Sequence, residues 1–289
     1  MAEAEIGASA GSSLEDLATR YGAAYPWLVA VTVLSAFSTA VLTSSIVNVA
    51  VPDVMGAFGV GQDQVQFIAT AFFATMTTSL LISPWVVDKL GVQLTFSISL
   101  VLFAIGSLIS TFSPNLPVII FGRVVQGFGS GVMQPLVMMA LVQAFPPERR
   151  GMAMGLFSLG IVCAHGVGPY MGGLTIDAFH WRFIFLLPLP IVVFAFVMGL
   201  LFLPSRVKGT NASFDWLGFA LLSVSIFFMM TVIANGQRDG WFSDSILVTF
   251  LIFLTTGAAF ILTQIYGKTR MMELALFRYI PFAAAIAVS

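Results

Sequence analysis

Long apolar runs separated by short polar segments dominate this sequence. Eight runs are long enough to cross a ~30 Å hydrocarbon core as helices that rise ~1.5 Å per residue. The predicted spans are 27–51, 64–87, 94–112, 117–143, 152–174, 183–203, 215–234 and 244–266. A ninth run opens at Ile280 and reaches only Ser289, about half the length that a span needs. We therefore expect the chain to end inside a span, either as part of a longer protein or as a truncated product.

Composition supports the same class. The chain is 58% hydrophobic and only 9% charged, whereas an average soluble domain is ~25% charged. An all-α polytopic membrane protein embedded in a lipid bilayer is therefore expected. The net charge of −1 leaves no polybasic surface for nucleic acid. No His cluster, acidic pair or Ser–His arrangement falls at one membrane level, so we expect no metal, no cofactor and no enzymatic activity.

Lysine and arginine predict the orientation. If the N-terminus is cytoplasmic, the inner segments carry nine of these residues and the outer loops two, as the positive-inside rule requires. No basic region precedes the first span, so no cleaved signal peptide is expected. We predict a multi-pass protein of the cell inner (plasma) membrane. Its predicted divisions are a cytoplasmic segment 1–26 with a short helix capped by Ser13, a six-span bundle 27–203, a cytoplasmic linker 204–214, two further spans 215–266, and a cytoplasmic linker with the start of a ninth span, 267–289.

The fifth span is unusually rich in helix breakers. Between Gly151 and Leu174 it holds seven glycines, Pro169 and His165. Lipid-embedded helices tolerate this only where neighbouring helices pack on the bare backbone. Gly168, Gly172 and Gly173 should permit close helix–helix approach, and Pro169 should bend the helix near its outer end. The breakers in this span are Gly151, Gly155, Gly160, Gly166, Gly168, Pro169, Gly172 and Gly173.

The fourth span contains one charge, Arg123. A charge at bilayer depth costs ~2.5–3.5 kcal/mol, so Arg123 should face the bundle interior and have a partner. No acid lies in the middle of the first six spans. The nearest acid by depth is Asp53, and Gln126 and backbone carbonyls are further acceptors.

His165 has two interpretations. Its imidazole could carry a proton, because its unperturbed pKa is ~6.5. Alternatively, it is a neutral histidine bonded to a carbonyl that Pro169 frees.

Polar residues near the end of the first span also have two interpretations. Thr43, Ser44 and Asn48 could form a wall of a central cavity, with Gln126 and Gln134 of the fourth span. Alternatively, the hydroxyls bond back to their own helix.

The loop after the second span contains Asp88, Lys89 and Gly91. We interpret it as a conformational latch in which Asp88 pairs with Arg149 or Arg150 of the next inner loop, or lies at the positive end of a helix. An ordinary charged turn is the alternative.

These motifs resemble those of a transporter family. The fifth span reads Gly168-Pro169-x-x-Gly172-Gly173 and is followed by Trp181-Arg182-x-x-Phe185; the fourth span contains Gly122-Arg123-x-x-Gln126-Gly127. Both are similar to motifs of the major facilitator superfamily, and most closely to its fourteen-span drug/proton antiporters of the EmrB/QacA type. The family usually carries an acid at the position of Thr43, so this chain departs from the pattern there.

The resemblance implies a six-helix N-terminal bundle of 3+3 inverted repeats plus two linker helices, with the C-terminal half absent from this chain. It also implies that Arg123 takes part in proton coupling. The expected function is proton-coupled export of amphipathic small molecules by alternating access. Expected partners are the bilayer, protons, a small amphipathic substrate, the missing C-terminal half and a periplasmic adaptor subunit. The alternative is a truncated membrane interaction protein or self-associating half that does not transport.

Overall fold

A computed structural model describes residues 12–205 and 213–267. The described residues are helical with short connections and contain no β-strand, which confirms the all-α prediction. The helices are α1 Leu14–Tyr21, α2 Tyr25–Val49, α3 Val51–Phe58, α4 Gln62–Val65, α5 Phe67–Leu80, α6 Ser83–Leu90, α7 Val92–Thr111, α8 Leu116–Ala144, α9 Arg150–Ala178, α10 Leu189–Phe202, α11 Trp216–Asp239 and α12 Asp244–Tyr266. The predicted ninth run lies outside the described residues.

Seven stretches of the described chain are long and apolar enough to span a membrane, so the polytopic prediction is confirmed. The predicted second span is not one straight helix. The segments Gln62–Leu80 and Ser83–Leu90 meet at a bend of 57°. Pro84 lies in the first turn of α6 and has no N–H to donate to the carbonyl of Leu80, where α5 ends. An apolar run alone does not reveal such a change of direction.

The chain falls into two compact units, Met1–Asn211 and Ala212–Ser289. In the first unit α2 lies at the centre and packs against α8, α9 and α10. Helix α8 also packs along α5 and α7. Buried residues of α2, including Val33, Ala36 and Phe37, join the main hydrophobic core of this unit.

The short N-terminal helix α1 is docked on the same unit. As predicted, Ser13 caps it: its hydroxyl accepts from the Asp16 N–H, and the Asp16 carboxylate accepts from the Ser13 N–H. Leu17 is buried in the core. The Ser12 N–H donates to the Ser205 hydroxyl at 2.9 Å and the Ser205 N–H to the Ser12 carbonyl at 3.2 Å, so α1 is tied to the end of α10.

The second unit is a hairpin of α11 and α12. Asp215 caps α11, accepting from the Gly218 N–H at 2.8 Å, and its other carboxylate oxygen accepts from Gln264 Nε2 at 2.8 Å. Further along, the Ser225 hydroxyl donates to the Phe253 carbonyl at 3.2 Å. Polar contacts therefore join the two helices at more than one level.

Candidate functional site

Arg123 lies in a sealed cluster between α5, α7 and α8. Its side chain is 0% exposed. Nε donates to the Ile68 carbonyl of α5 at 3.2 Å, and Nη1 donates to Gln126 Oε1 at 2.7 Å. The guanidinium carbon lies 4.0 Å from the centroid of the Phe72 ring. Gln126 Nε2 then donates to the Ser107 hydroxyl of α7 at 2.8 Å, so one charge links three helices. We call these residues (Ile68, Phe72, Ser107, Arg123 and Gln126) the arginine cluster.

Asp53 is not part of the arginine cluster. It is exposed in the short helix α3, and the polar partners of Arg123 are a backbone carbonyl and an amide. Of the acceptors expected for Arg123, Gln126 and a backbone carbonyl are its partners, whereas the expectation of Asp53 is wrong for this structure. Depth along the bilayer was the only basis for it, and depth does not report which way a side chain points.

Two glycines allow the arginine cluster to form. A Cβ added at Gly106 of α7 would lie 2.5 Å from the Gly122 carbonyl oxygen and 2.6 Å from the Gln126 nitrogen. A Cβ added at Gly122 of α8 would lie 2.8 Å from the Gly106 carbonyl oxygen. Because neither Cβ exists, the backbones of α7 and α8 approach closely enough for Gln126 to reach Ser107.

Two buried polar side-chain atoms in the described chain have no hydrogen-bond partner: Arg123 Nη2 and Thr43 Oγ1. Such atoms are costly and rare in folded proteins. Thr43 is 1% exposed, and Ser44 is also buried and donates to the Val41 carbonyl at 2.7 Å. Thr43 and Ser44 therefore face the bundle interior, contrary to the cavity-wall interpretation, and the Ser44 hydroxyl bonds back to its own helix, as the alternative interpretation expects.

The open side of α2 carries other polar residues. Asn48 is exposed, as the wall prediction requires, and the half-buried Ser35, Ser38 and Ser45 fall on the same helix face. Each of these serine hydroxyls donates to a carbonyl of its own helix. The sequence analysis did not identify these three serines. Their spacing of three, seven and three residues up to Asn48 nevertheless predicts one shared helix face.

Both glutamines assigned to the cavity wall are in α8, and they differ in position. Gln126 is fully buried in the arginine cluster, so it does not line a cavity wall as predicted. Gln134 is half-buried, one residue before the in-helix Pro135.

Helix α9 packs on α2 through two of the predicted glycines. A Cβ added at Gly168 would overlap the Ser45 hydroxyl. At Gly172 it would lie 3.2 Å from Ile46 Cγ2. Gly173 has nothing within 4 Å of such an atom, and Pro169 is exposed. Gly168 and Gly172 therefore belong to a helix contact, whereas Pro169 and Gly173 do not.

Two further faces of α9, here called flanks, are each formed by residues three or four apart. All members of both flanks are exposed or half-buried. The small flank consists of Gly151, Gly155, Ser158, Val162, Gly166, Pro169 and Gly173. The bulky flank consists of Met152, Leu156, Leu159, Cys163, Val167, Tyr170 and Leu174. The two flanks offer different surfaces to whatever surrounds the helix.

His165 is exposed beside the small flank, three residues after Val162 and four before Pro169. Its Nδ1 lies 3.1 Å from the Ile161 carbonyl oxygen. The carbonyl that Pro169 leaves without a backbone donor is that of His165 itself. The imidazole contacts the Ile161 carbonyl instead, so the predicted bond to a carbonyl freed by Pro169 is not formed. Helix α9 is continuous from Arg150 to Ala178 through Pro169.

The latch residues lie at the end of the first unit that carries α1. Asp88 and Lys89 are exposed at the end of α6, and Lys89 Nζ lies 4.5 Å from the centroid of the Trp85 ring. Asp88, Gly91 and Arg150 line one cleft of about 630 Å³. Within the described chain, no ion pair joins Asp88 to Arg150 or to the exposed Arg149, so the predicted pairing is not formed in this conformation.

Trp181 and Arg182 do not form the interfacial anchor that an aromatic–basic pair at the end of a span would suggest. Trp181 is only 4% exposed. Arg182 Nη1 donates to the carbonyls of Thr111 and Ser113 at the end of α7, and its guanidinium carbon lies 4.7 Å from the centroid of the Trp181 ring. Arg182 thus satisfies carbonyls that the end of α7 leaves open.

Known proteins resemble this chain over most of its length. A family model described as Major Facilitator Superfamily matches residues 17–289. The multidrug export protein EmrB of Escherichia coli (strain K12) is 30% identical over 240 residues, which are 82% of this chain and 47% of that relative. The lincomycin resistance protein LmrB of Bacillus subtilis (strain 168) is 25% identical over 260 residues, 89% of this chain and 54% of LmrB. The chain spans about half the length of the curated relatives it matches.

A solved structure has the same fold. The crystal structure of peptide transporter POT in complex with sulfate matches with a TM-score of 0.61 at 14% identity, covering 88% of this chain and 56% of that chain. At this identity the match concerns the arrangement of helices only.

Proposed function

Because the chain belongs to the Major Facilitator Superfamily, we propose that it forms the first half of a proton-coupled secondary transporter that exports amphipathic small molecules by alternating access. The family consists of transporters and not of enzymes, and the resemblance to EmrB-type members is confirmed. The names of two relatives, a multidrug export protein and a lincomycin resistance protein, support the drug-efflux class.

The observation that carries this proposal is the contrast between two exposed helix faces. The exposed face of α7 is entirely aliphatic: Leu94, Ile98, Val101, Ile105 and Leu108. Lipid tails suit such a face. The small flank of α9 exposes glycine backbone, Ser158 and Pro169, with His165 beside it. Lipid cannot hydrogen-bond these groups, so the small flank suits a second helical half and the aqueous cleft between the halves.

In this proposal the first unit moves as one body. The arginine cluster fastens α5, α7 and α8 together, and the Gly168–Ser45 contact fastens α9 to α2. A complementary half would rock against this body and open a central site to each side in turn. The proton gradient would favour the outward-open state only through groups whose protonation differs between the two states.

Residue roles follow from exposure. His165, exposed beside the small flank, is the group of the described spans best placed to exchange a proton with a cleft. Asn48, with Ser35 and Ser38, would line the substrate path on α2, while Ser45 lies in the contact with Gly168 of α9. Arg123 is enclosed, so it would act on coupling through the packing of α5, α7 and α8 rather than by touching substrate.

At the other end of the unit, Asp88 and Arg150 are free to pair when the cleft between them closes, which is the proposed latch. The excess of Lys and Arg supports a cytoplasmic N-terminus in the cell inner membrane. An N-terminal epitope tag should therefore be accessible to antibody only after the cells are permeabilised. A periplasmic adaptor subunit remains a proposed partner on the strength of the resemblance alone.

Efflux from everted membrane vesicles tests the proposal. The protein is expressed from its complete reading frame, a pH gradient is imposed, and two probes are followed: ethidium as a cation and a dansylated fatty acid as an anion. We expect uptake of at least one probe into the vesicle lumen, which is the direction of export from the cell. An uncoupler and Arg123→Ala should each abolish this uptake. The 289-residue chain expressed alone should export neither. Absence of pH-driven movement of both probes by the complete protein, with normal amounts in the membrane, would refute the proposal.

A further inference from the structure

The arginine cluster contains one charge and no counter-ion. Helices α5, α7 and α8, which surround the guanidinium, carry no ionisable side chain other than Arg123. Helix α2, which also packs on α8, carries only Tyr25, at its first residue. Arg123 is therefore held by neutral groups, and every neighbour that fixes its orientation acts through a hydrogen bond or a ring face.

Ser107 determines which atom of Gln126 meets the arginine. The Gln126 amide has a donor end and an acceptor end, and both are buried. Because Nε2 donates to the Ser107 hydroxyl at 2.8 Å, Oε1 is turned towards Arg123 Nη1. Without the hydroxyl, the amide loses the partner of its donor end and can rotate, which would place a donor against a donor.

Phe72 covers one face of the Arg123 guanidinium. The ring is fully buried, and the guanidinium carbon lies 4.0 Å from its centroid. A cation over an aromatic face at this distance is attracted by the ring quadrupole, and more strongly when both are out of water. The plane of the guanidinium is thus covered by Phe72, while Nε and Nη1 are occupied by Ile68 and Gln126.

One donor remains. Nη2 is buried and has no partner among the described residues. We propose that Ser107 and Phe72 are positioning residues that hold Arg123 so that Nη2 stays available to an oxygen acceptor that comes within reach in another conformation of the transport cycle. This inference rests on the proposed function, because it assigns these two residues to the coupling step of that transporter.

The test compares two transport modes of the complete protein in proteoliposomes. Active efflux needs the pH gradient, whereas exchange of labelled for unlabelled probe across the membrane needs only the rocking motion. For Ser107→Ala we expect active efflux of the exported probe to fall about tenfold, the effect of disturbing one buried hydrogen bond to a charged pair. Exchange should change less than about twofold.

Phe72→Leu, which keeps apolar bulk but removes the aromatic face, should act in the same direction. The matched control is Ser97→Ala, because Ser97 is also buried on α7 but donates only to the carbonyl of Gln93 on its own helix. A general packing defect would lower efflux and exchange together, and that result, or unchanged efflux in Ser107→Ala, would overturn the proposal.

A second measurement does not depend on transport. Thermal unfolding of the purified complete protein in detergent is compared for Ser107→Ala, Arg123→Lys and the double variant. If Ser107 acts through Arg123, the double variant should melt close to Arg123→Lys, whereas independent residues would give additive shifts. Additive shifts would exclude the positioning role. If wild type moves no probe but the shifts are non-additive, the proposed function fails while the contact network stands.

Discussion

Gly168 of α9 lies against Ser45 of α2 so closely that a Cβ on the glycine would overlap the serine hydroxyl. The Leu42 carbonyl oxygen lies 3.5 Å from the same point, an ordinary contact distance, and the hydroxyl of Ser45 donates to that carbonyl at 3.0 Å. Neither neighbour is the free end of a long side chain. The backbone of α9 therefore depends on the absence of one methyl group to reach α2.

Gly168→Ala should destabilise the protein. Alanine favours a helix by ~1 kcal/mol over glycine, but overpacking a fixed contact costs ~1–3 kcal/mol. We expect a lower melting temperature for the 289-residue chain in detergent, read by tryptophan fluorescence. The control is Gly173→Ala on the same helix, where a Cβ meets nothing within 4 Å; there only the helix propensity should act and stability should rise slightly. Equal effects at both positions would contradict the close contact.

Gln126→Leu should destabilise the protein more strongly. Leucine has a similar volume but leaves Arg123 Nη1 without its acceptor at 2.7 Å and Ser107 without its donor. A buried donor left unsatisfied costs ~1–3 kcal/mol, and more when it is charged. Denaturation in detergent should show the loss, whereas Gln134→Leu, a half-buried glutamine of the same helix, should shift unfolding far less. A loss no larger than that of Gln134→Leu would show that the cluster contributes little to stability.

Most of the spans could be predicted because an uninterrupted apolar run of about twenty residues is typical of a membrane-spanning helix and rare in soluble domains. The bend between Leu80 and Ser83 was not predicted, since Pro84 lies in a run whose hydropathy is uninterrupted. Hydropathy indicates whether a segment is long enough to cross the bilayer, and it carries no information on where the helix axis changes direction. The capped helix at Ser13 was predictable because capping depends on neighbours only three residues apart.

The candidate site was predictable only in part, for a related reason. That Arg123 must be enclosed follows from the cost of a bare charge in lipid. Gln126 and a backbone carbonyl are among the expected acceptors, but the sequence does not reveal that the carbonyl is that of Ile68, a group that every residue possesses, or that the ring of Phe72 covers the guanidinium. An open face was one of two interpretations of Thr43, and the phase of the helix turns this side chain inward.

Gly91→Ala should reveal a backbone constraint in the latch loop. Gly91 has φ 79° and ψ 169°, a region that is essentially restricted to glycine, and placing another residue there costs ~1–3 kcal/mol. We expect a lower melting temperature and a disturbed connection from α6 to α7. Gly56→Ala is the control, because Gly56 is helical and a Cβ there meets nothing within 4 Å. A Gly91→Ala chain as stable as wild type would mean that this turn readily adopts another conformation.

Asp215→Ala should loosen the α11–α12 hairpin. It removes the cap on the Gly218 N–H, worth ~1 kcal/mol, and the nearer acceptor of Gln264 Nε2, at 2.8 Å, a hydrogen bond to a charged group worth ~1–3 kcal/mol. Gln264 Nε2 keeps its contact with the Thr263 hydroxyl at 3.3 Å. Asp215→Asn should cost much less: its oxygen can still cap α11, and its amide can donate to Gln264 once that side chain flips. Hydrogen exchange of the α11 and α12 amides, followed by mass spectrometry, would separate the two variants. Equal protection in Asp215→Ala and wild type would show that the hairpin is held by its apolar contacts alone.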